Sequence, residues 1–312
     1  MSAIWRRAIS PPDAPGRRRL LIVLAAAFLA PSLCAAGAGA AERKLSLAGA
    51  AVTEWEPDGQ RDGARPVVIF SHGFHGCATQ SRFLAAALAD AGYIVFAPNH
   101  RDASCDGAAG RWRDPPEEPF AKPMAWSAET YAGRAEDIRR LVGALKQDQA
   151  WRGRIDWSRL ALVGHSLGGY TVLGLAGAWP GWKLEGVKAV LALSPYVQPY
   201  LARGSLGGLS APVMYQGGTL DLAITPAVRR RDGAYDRSPA PKYYVEFRRA
   251  GHLAWTDIGA GAHGAIIAYS IAFLDHYVNG RTADPRLTQR SGEAAALRYA
   301  SELGTAATAD RR

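Results

Sequence analysis

The chain has 312 residues, of which 48% are hydrophobic and 21% are charged. This composition is typical of a globular protein, and it excludes a collagen-like chain, a disordered chain and a small disulfide-dense domain. Lysine and arginine together number 37 against 28 acidic residues, and this mild, scattered excess gives no reason to expect a nucleic-acid partner.

The N-terminal segment has the three parts of an export signal. Arginines at 17–19 precede an apolar run at 20–30, and small residues fill 35–41. A basic start, a short apolar run and an A-x-A-like site are typical of a secretory signal peptide. We therefore predict a signal peptide over 1–41, no stable membrane span after its removal, and a periplasmic or secreted protein. An uncleaved signal anchor and a twin-arginine signal remain alternatives.

The rest of the chain alternates apolar runs with helical patterns. Runs rich in β-branched and aromatic residues predict strands covered on both faces, as in parallel sheets. These runs lie at 67–70, 93–97, 160–163, 187–193, 213–215 and 243–247. Apolar residues at helical spacing predict helices at 83–91, 128–145, 167–178 and 263–278. The alternation predicts one α/β domain over 42–280, with a doubly wound, mostly parallel sheet and helices on both faces.

Three segments fit neither pattern. Residues 102–126 and 195–210 are rich in glycine and proline, and both follow predicted strands. Because α/β sheets bind ligands beyond the carboxyl ends of their strands, we predict that these loops shape a cleft, with plain surface connections as the alternative. Residues 281–312 are expected to form a weakly helical or frayed tail.

The strongest chemical signal is the pentapeptide GHSLG at 164–168, between a predicted strand and a predicted helix. The pattern G-x-S-x-G in that context forms a sharp turn that exposes a serine as a nucleophile. The two outer glycines are needed because a side chain there would crowd the turn. We therefore predict that Ser166 is a nucleophile.

A serine nucleophile needs a histidine base and an orienting acid, expected later in the chain in the order serine, acid, histidine. Asp221 follows the predicted strand at 213–215, and His252 follows the strand at 243–247. We predict that His252 is the base and that Asp221 orients its imidazole. The rival residues fit this order less well; they are His72, His75, His100, His165, His263, His276, Asp232, Asp236 and Asp257.

Acyl transfer also needs N–H groups that stabilise the oxyanion. One is expected from Leu167, directly after the nucleophile. The other is expected from Phe74 in the segment HGFHG at 72–76, which follows an early predicted strand. Two histidines in that segment, His72 and His75, lack a third ligand nearby, so we predict no metal site there.

Five segments carry a family resemblance. They are FSHGF at 70–74, AGYIVFAPNH at 91–100, VGHSLGGY at 163–170, GGTLD at 217–221 and GH at 251–252. With these segments the sequence resembles the α/β-hydrolase superfamily, in particular its dienelactone-hydrolase and platelet-activating-factor-acetylhydrolase-like branch. True dienelactone hydrolases have a cysteine nucleophile where this chain has Ser166.

The resemblance implies a serine hydrolase without a cofactor. Its substrate would be a small-molecule or lipid-like carboxylic ester, cleaved through an acyl-enzyme. A peptidase or amidase with the same triad, and a binding protein that keeps the fold without catalysis, are the alternatives. The oligomeric state stays open.

Loss of the predicted signal, which contains Cys34, would leave two cysteines. An even pair in an exported protein indicates a disulfide between Cys77 and Cys105. In this fold the two cysteines follow neighbouring parallel strands, so both loops would emerge at the same edge of the sheet. Two buried free thiols are the alternative.

Overall fold

The computed structural model describes residues 40–59, 63–108, 110–259 and 261–306. The predicted signal peptide lies outside the described residues except for its last two. Within the described ranges, no helix is both long enough and apolar enough to cross a membrane.

The strands of the described ranges form one sheet. Their bounds are β1 Ala41–Leu47, β2 Ala50–Glu56, β3 Arg65–Ser71, β4 Ile94–Pro98, β5 Ile155–His165, β6 Val187–Leu193, β7 Val213–Gly218, β8 Lys242–Phe247, β9 Ala294–Ser301 and β10 Gly304–Ala306. Their order in the sheet is β1-β2-β4-β3-β5-β6-β7-β8-β9-β10. The strands from β4 to β8 in this order pair in parallel, and the outer pairs at both edges are antiparallel. The predicted mostly parallel sheet is confirmed.

Helices cover both faces of the sheet. Their bounds are α1 Arg82–Asp90, α2 Ala132–Gln147, α3 Leu167–Leu173, α4 Gln198–Arg203, α5 Thr225–Arg229, α6 Ala234–Arg237 and α7 His263–Tyr277. Buried side chains of α1 and α7 belong to one apolar cluster, and those of α2 and α3 belong to another. Successive residues of a strand point to opposite faces. In β3, Val67 and Ile69 therefore join the second cluster, whereas Val68 and Phe70 join the first.

The two ends of the domain differ from the sequence-based expectation. Where a weakly helical or frayed tail was expected after Gly280, β9 pairs with β8 and β10 pairs with β9. The alanine-rich segment 294–301 has little hydrophobic contrast, because it lies near the sheet edge and buries only Ala294 and Leu297 fully. At the other edge, β1 and β2 also escaped prediction, since charged residues interrupt their apolar positions.

The two predicted loops have different structures. The segment 102–126 consists of turns and one short 3-10 helix, Pro123–Ala125. The segment 195–210 contains α4 and a 3-10 turn, Ser205–Gly208. Both segments contribute to the cleft through Trp112, Phe120 and Tyr196.

Candidate active site

Ser166 lies at the sharp turn between β5 and α3. Its backbone has φ 54° and ψ −114°, a strained conformation for a residue with a side chain. The flanking glycines make this turn sterically feasible. A Cβ atom on Gly168 would lie 1.9 Å from the carbonyl oxygen of Ser71, and one on Gly164 would lie 2.2 Å from the carbonyl oxygen of Gly168. The turn presents the Ser166 side chain to the cleft.

The structure brings together the three residues predicted to form a catalytic triad. His252 Nε2 lies 2.9 Å from Ser166 Oγ. On the other side of the ring, His252 Nδ1 lies 3.4 Å from Asp221 Oδ1. Asp221 follows β7, and His252 begins the short 3-10 helix His252–Trp255 after β8. The carboxyl ends of three parallel strands thus place a hydroxyl, an imidazole and a carboxylate in one row.

Asp221 is almost completely buried, and its carboxylate is held by hydrogen bonds. Ser194 Oγ donates to Asp221 Oδ2 at 2.5 Å, and Thr225 Oγ1 donates to the same oxygen at 3.0 Å. Burial raises the pKa of the Asp221 carboxyl, but the hydrogen bonds with His252 and Ser194 outweigh it, so that the net pKa is lowered. The carboxylate therefore stays ionised at neutral pH.

His165 supports the backbone of His252. Its Nε2 lies 2.9 Å from the carbonyl oxygen of His252, so Nε2 must carry the proton of the ring. Its Nδ1 then accepts from the Gln80 side-chain amide at 3.2 Å. Burial and the nearby charge of His252 lower the pKa of His165 to about 3. The ring is therefore neutral, and it makes both hydrogen bonds over the whole physiological pH range.

The loop after β3 has one free N–H group next to the nucleophile. The Gly73 N–H donates to Gln80 Oε1 at 3.0 Å, and the His75 N–H donates to Asp102 Oδ2 at 3.3 Å. Between them, the Phe74 N–H has no hydrogen-bond partner among the described residues, and the same holds for the Leu167 N–H. A Cβ atom on Gly73 would lie 3.4 Å from Ser166 Cβ, so this loop lies against the nucleophile.

Arg134 fixes the orientation of this loop from behind. Its buried guanidinium donates to the carbonyl oxygens of His72 at 2.8 Å and Gly73 at 3.2 Å, and to Asp102 at 2.9 Å and 3.0 Å. The Gly73 carbonyl and the Phe74 N–H belong to one planar trans peptide unit and point in opposite directions. Because Arg134 holds the carbonyl on one side, the Phe74 N–H faces the other side.

A disulfide joins the two predicted cysteines at the edge of the cleft. Cys77 and Cys105 are bonded; their Cα atoms are 5.5 Å apart, and the two residues are separated by 28 positions in sequence. The predicted disulfide is confirmed. It connects the loop that carries Phe74 to the segment after β4, and both cysteines line the cavity in front of Ser166.

The cavity in front of Ser166 has a volume of about 680 Å³, and most of its lining is apolar. Phe74, Phe120, Tyr196 and Ile224 form its walls. Three more side chains stand at its rim and are largely exposed: Trp112 at 75%, Leu253 at 50% and Ile258 at 82%. The site can therefore accept an apolar group next to the Ser166 hydroxyl.

Sequence reasoning missed three residues that support the site. Ser194 directly follows β6, beside the strand that leads to Asp221, and this position after a strand was the signal that could have revealed it. Arg134 and Gln80 gave no such signal, because a charged or amide residue in a helix or loop is ordinarily exposed. Within the described ranges, no group of three or more His, Cys, Asp or Glu side chains could hold a metal ion.

Comparison with known proteins agrees with the fold. A family described as "alpha/beta hydrolase fold" matches residues 66–195. The chain is 34% identical to "Cutinase est1" of Thermobifida alba over 140 residues, which is 44% of this chain and 42% of that protein. It is 33% identical to "Cutinase 1" of Thermobifida cellulosilytica over 161 residues, which is 50% of this chain and 55% of that protein.

A longer but weaker similarity covers 232 residues. It is to "Bis(hydroxyethyl) terephthalate hydrolase" of Streptomyces coelicolor, with 23% identity over 74% of this chain and 63% of that protein. The chain spans about half the length of the cutinases it matches. The match to the dienelactone-hydrolase branch stays a prediction, since these relatives carry other names.

Proposed function

We propose that the chain is a member of the α/β-hydrolase superfamily and an exported serine hydrolase that cleaves carboxylic esters. One observation carries the proposal. The Ser166 hydroxyl stands on a strained turn, 2.9 Å from an imidazole that is backed by a buried carboxylate, at the base of an apolar cavity. This arrangement suits nucleophilic attack on an acyl group.

In the proposed reaction, His252 Nε2 takes the Ser166 proton while Oγ attacks the ester carbonyl carbon. The Phe74 and Leu167 N–H groups stabilise the oxyanion that forms. His252 then gives the proton to the leaving alcohol. Water, deprotonated by the same imidazole, hydrolyses the acyl-enzyme and restores the Ser166 hydroxyl. The residues that do this need no cofactor.

The apolar cavity favours an ester whose acyl or aromatic part is hydrophobic. Phe74 and Ile224 would contact that part directly, and Trp112 and Ile258 extend the apolar surface to the rim. The names of the relatives, cutinase and bis(hydroxyethyl) terephthalate hydrolase, point to esters of the same character. We therefore infer that the substrates are hydrophobic esters rather than short, strongly polar ones.

The disulfide supports export to an oxidising compartment, either the periplasm or the exterior. Cys77 and Cys105 are the two cysteines that remain after the predicted signal peptide, and they are bonded to each other. Disulfides are rare in proteins that stay in the reducing cytosol. Export is thus supported by two independent features, the disulfide and the N-terminal pattern.

The test is hydrolysis of p-nitrophenyl esters of graded chain length, with bis(hydroxyethyl) terephthalate and p-nitroanilides in parallel. Ser166→Ala and His252→Ala should each lower kcat by about 10⁴-fold, and the double variant by little more, because the two residues act as one unit. Ser158→Ala is the matched control, since Ser158 is exposed on the same strand β5. It should keep wild-type turnover.

Covalent labelling by a fluorophosphonate separates the remaining alternatives. Labelling of the wild type and Ser158→Ala, but not of Ser166→Ala, is expected. Preferential cleavage of the anilides would show that the protein is an amidase and not an ester hydrolase. If correctly folded protein shows no labelling and no turnover, the binding protein is the alternative that remains.

A further inference from the structure

The hydroxyl of Ser194 lies between His252 and Asp221. Ser194 Oγ is 2.8 Å from His252 Nδ1 and 2.5 Å from Asp221 Oδ2. The direct contact between His252 Nδ1 and Asp221 Oδ1 is longer, at 3.4 Å. The shorter of the two contacts on this side of the imidazole is therefore with the serine.

The chemistry of these groups fixes the direction of both hydrogen bonds. The ionised Asp221 carboxylate can only accept, so the Ser194 hydroxyl donates to it. The lone pairs of Ser194 Oγ are then free to accept from His252 Nδ1–H. With its proton on Nδ1, the neutral ring has its lone pair on Nε2, 2.9 Å from Ser166 Oγ. A hydroxyl in this position therefore selects the tautomer that a general base requires.

The backbone holds Ser194 in an unusual conformation. Its φ is 41°, in the region that residues with a side chain rarely adopt, and the residue is completely buried. Its N–H donates to the carbonyl oxygen of Gln216 in β7 at 2.8 Å. Because β7 leads directly to Asp221, this bond ties Ser194 to the segment that carries the acid. Strain at a buried polar residue beside a reactive site suggests that its position matters for function.

We propose that Ser194 is a positioning residue that links Asp221 to His252 and sets the tautomer of the imidazole. The inference rests on the proposed function, because it assumes that His252 is the base. When Nε2 takes the Ser166 proton, the imidazolium keeps Nδ1–H and shares it with Ser194 Oγ. Ser194 keeps its own proton toward Asp221, so no proton passes from His252 to the carboxylate.

Three substitutions separate the hydroxyl from the backbone strain. Ser194→Ala and Ser194→Gly both remove the hydroxyl, but glycine accepts a positive φ without strain. Ser194→Thr keeps the hydroxyl, but a β-branched side chain is strongly disfavoured at positive φ. The order of thermal stability should therefore be Gly at or above Ala, and Ala above Thr. A purely structural role for Ser194 would give activity in the same order.

A positioning role gives the opposite order of activity. Ser194→Ala and Ser194→Gly should both lower kcat by about 10- to 100-fold, the effect of losing one charge-assisted hydrogen bond, with KM within about 3-fold. Ser194→Thr should keep a higher kcat than either, although it melts at the lowest temperature. The control is Ser270→Ala, which removes a buried hydroxyl that accepts from the side chain of Gln216 at 3.0 Å. Its kcat should stay within about 3-fold of wild type.

Steady-state kinetics with one p-nitrophenyl ester, and thermal melts of the same samples, provide both readouts. Wild-type kcat in Ser194→Ala and Ser194→Gly would overturn the inference, and so would activities that follow the melting temperatures. Ser166→Ala, measured in parallel, separates this from failure of the proposed function. If Ser166→Ala keeps turnover, both the proposed triad and the proposed role of Ser194 are wrong. If Ser166→Ala is inactive and Ser194→Ala keeps wild-type turnover, only the proposed role of Ser194 is wrong.

Discussion

The two sides of the cleft are held by different kinds of interaction. The loop that carries Phe74 is fixed by a disulfide and by the buried ion pair of Arg134 with Asp102. The segment that begins at His252 is held mainly by hydrogen bonds, and the ion pair of its Asp257 with Arg82 is longer, at 3.9 Å, and partly exposed. His165 donates to the His252 carbonyl, and Ser81 Oγ donates to the Trp255 carbonyl at 2.6 Å.

This difference matches what each side is proposed to do. An oxyanion donor stabilises a transition state only if it is oriented before the reaction, so the Phe74 side needs strong, directional support. The His252 side also presents Leu253 and Ile258 to solvent, where they can adapt to the apolar part of an ester. One side is thus built for fixed geometry, and the other combines a supported base with an apolar rim.

The largest loss of stability and activity is expected from Arg134→Met, on the side of the cleft that carries Phe74. Loss of the guanidinium leaves the His72 carbonyl without a donor and Asp102 without its cation, whereas the Gly73 carbonyl keeps the Gly76 N–H at 3.0 Å. We expect the free energy of unfolding to fall by about 3 kcal/mol or more, and kcat to fall by about 10²-fold in the folded fraction. Chemical denaturation and ester turnover measure the two effects.

The control for this variant is Arg140→Met on the same helix α2. Arg140 is exposed and pairs with Asp137 at the surface, so its loss should change stability by less than about 1 kcal/mol. A folded Arg134→Met protein with wild-type kcat would show that the loop keeps its orientation without Arg134.

Loss of the disulfide should have the next largest effect. In the chain-entropy model, a bridge across 28 positions stabilises the fold by about 3.5 kcal/mol. The double variant Cys77→Ser/Cys105→Ser should therefore unfold at lower denaturant concentration, and its kcat should fall by a few-fold because the Phe74 loop is less constrained. Reductant should lower the melting temperature of the wild type and leave the double variant unchanged. Equal melting temperatures for both proteins would contradict this.

The free energy of unfolding should depend on pH through the buried histidines on both sides of the cleft. The pKa of His165 is lowered to about 3 by burial, and burial also lowers the pKa of His100. In the unfolded chain a histidine binds its proton near pH 6.5. The unfolded state therefore binds more protons below that pH. The stabilising contribution of His165 is complete above about pH 6.5 and is lost progressively as the pH falls toward 3.

Denaturant unfolding at several pH values between about 6 and 4 tests this sign. His165→Gln should reduce the slope of unfolding free energy against pH by about 1.4 kcal/mol per unit, and His100→Gln should reduce it in the same direction. A slope that matches wild type in His165→Gln would mean that the native ring takes up a proton in this range.

The smallest effect is expected at the exposed rim on the His252 side. Ile258→Ser should raise KM for long-chain esters by a few-fold, because it removes apolar contact area of modest size. It should leave kcat for p-nitrophenyl acetate unchanged. Leu222→Ser, at another exposed leucine that does not line the cavity, is the matched control. An equal rise in KM in both variants would show that the rim does not contact the substrate.

The sequence was informative where local chemistry decides the structure. The GHSLG turn and the apolar runs require buried strands and a tight turn, so Ser166 and the central sheet could be predicted. The edges of the sheet could not, because charged residues interrupt the apolar positions of β1 and β2, and the alanine-rich β9 has little hydrophobic contrast. Arg134 and Ser194 were hidden for another reason. Their partners lie 32 and 27 positions away in sequence, and only the folded chain makes these contacts.

The strand β9 also determines where the chain can be shortened. Its backbone pairs along the full length of β8, from Lys242 to Phe247. A protein cut after Gly280, at the boundary that the hydrophobic pattern predicts, would leave that ladder of N–H and C=O groups open to solvent. Open edges of this kind recruit strands from other molecules. Residues 294–306 therefore cover an edge of β8 that a cut after Gly280 would expose.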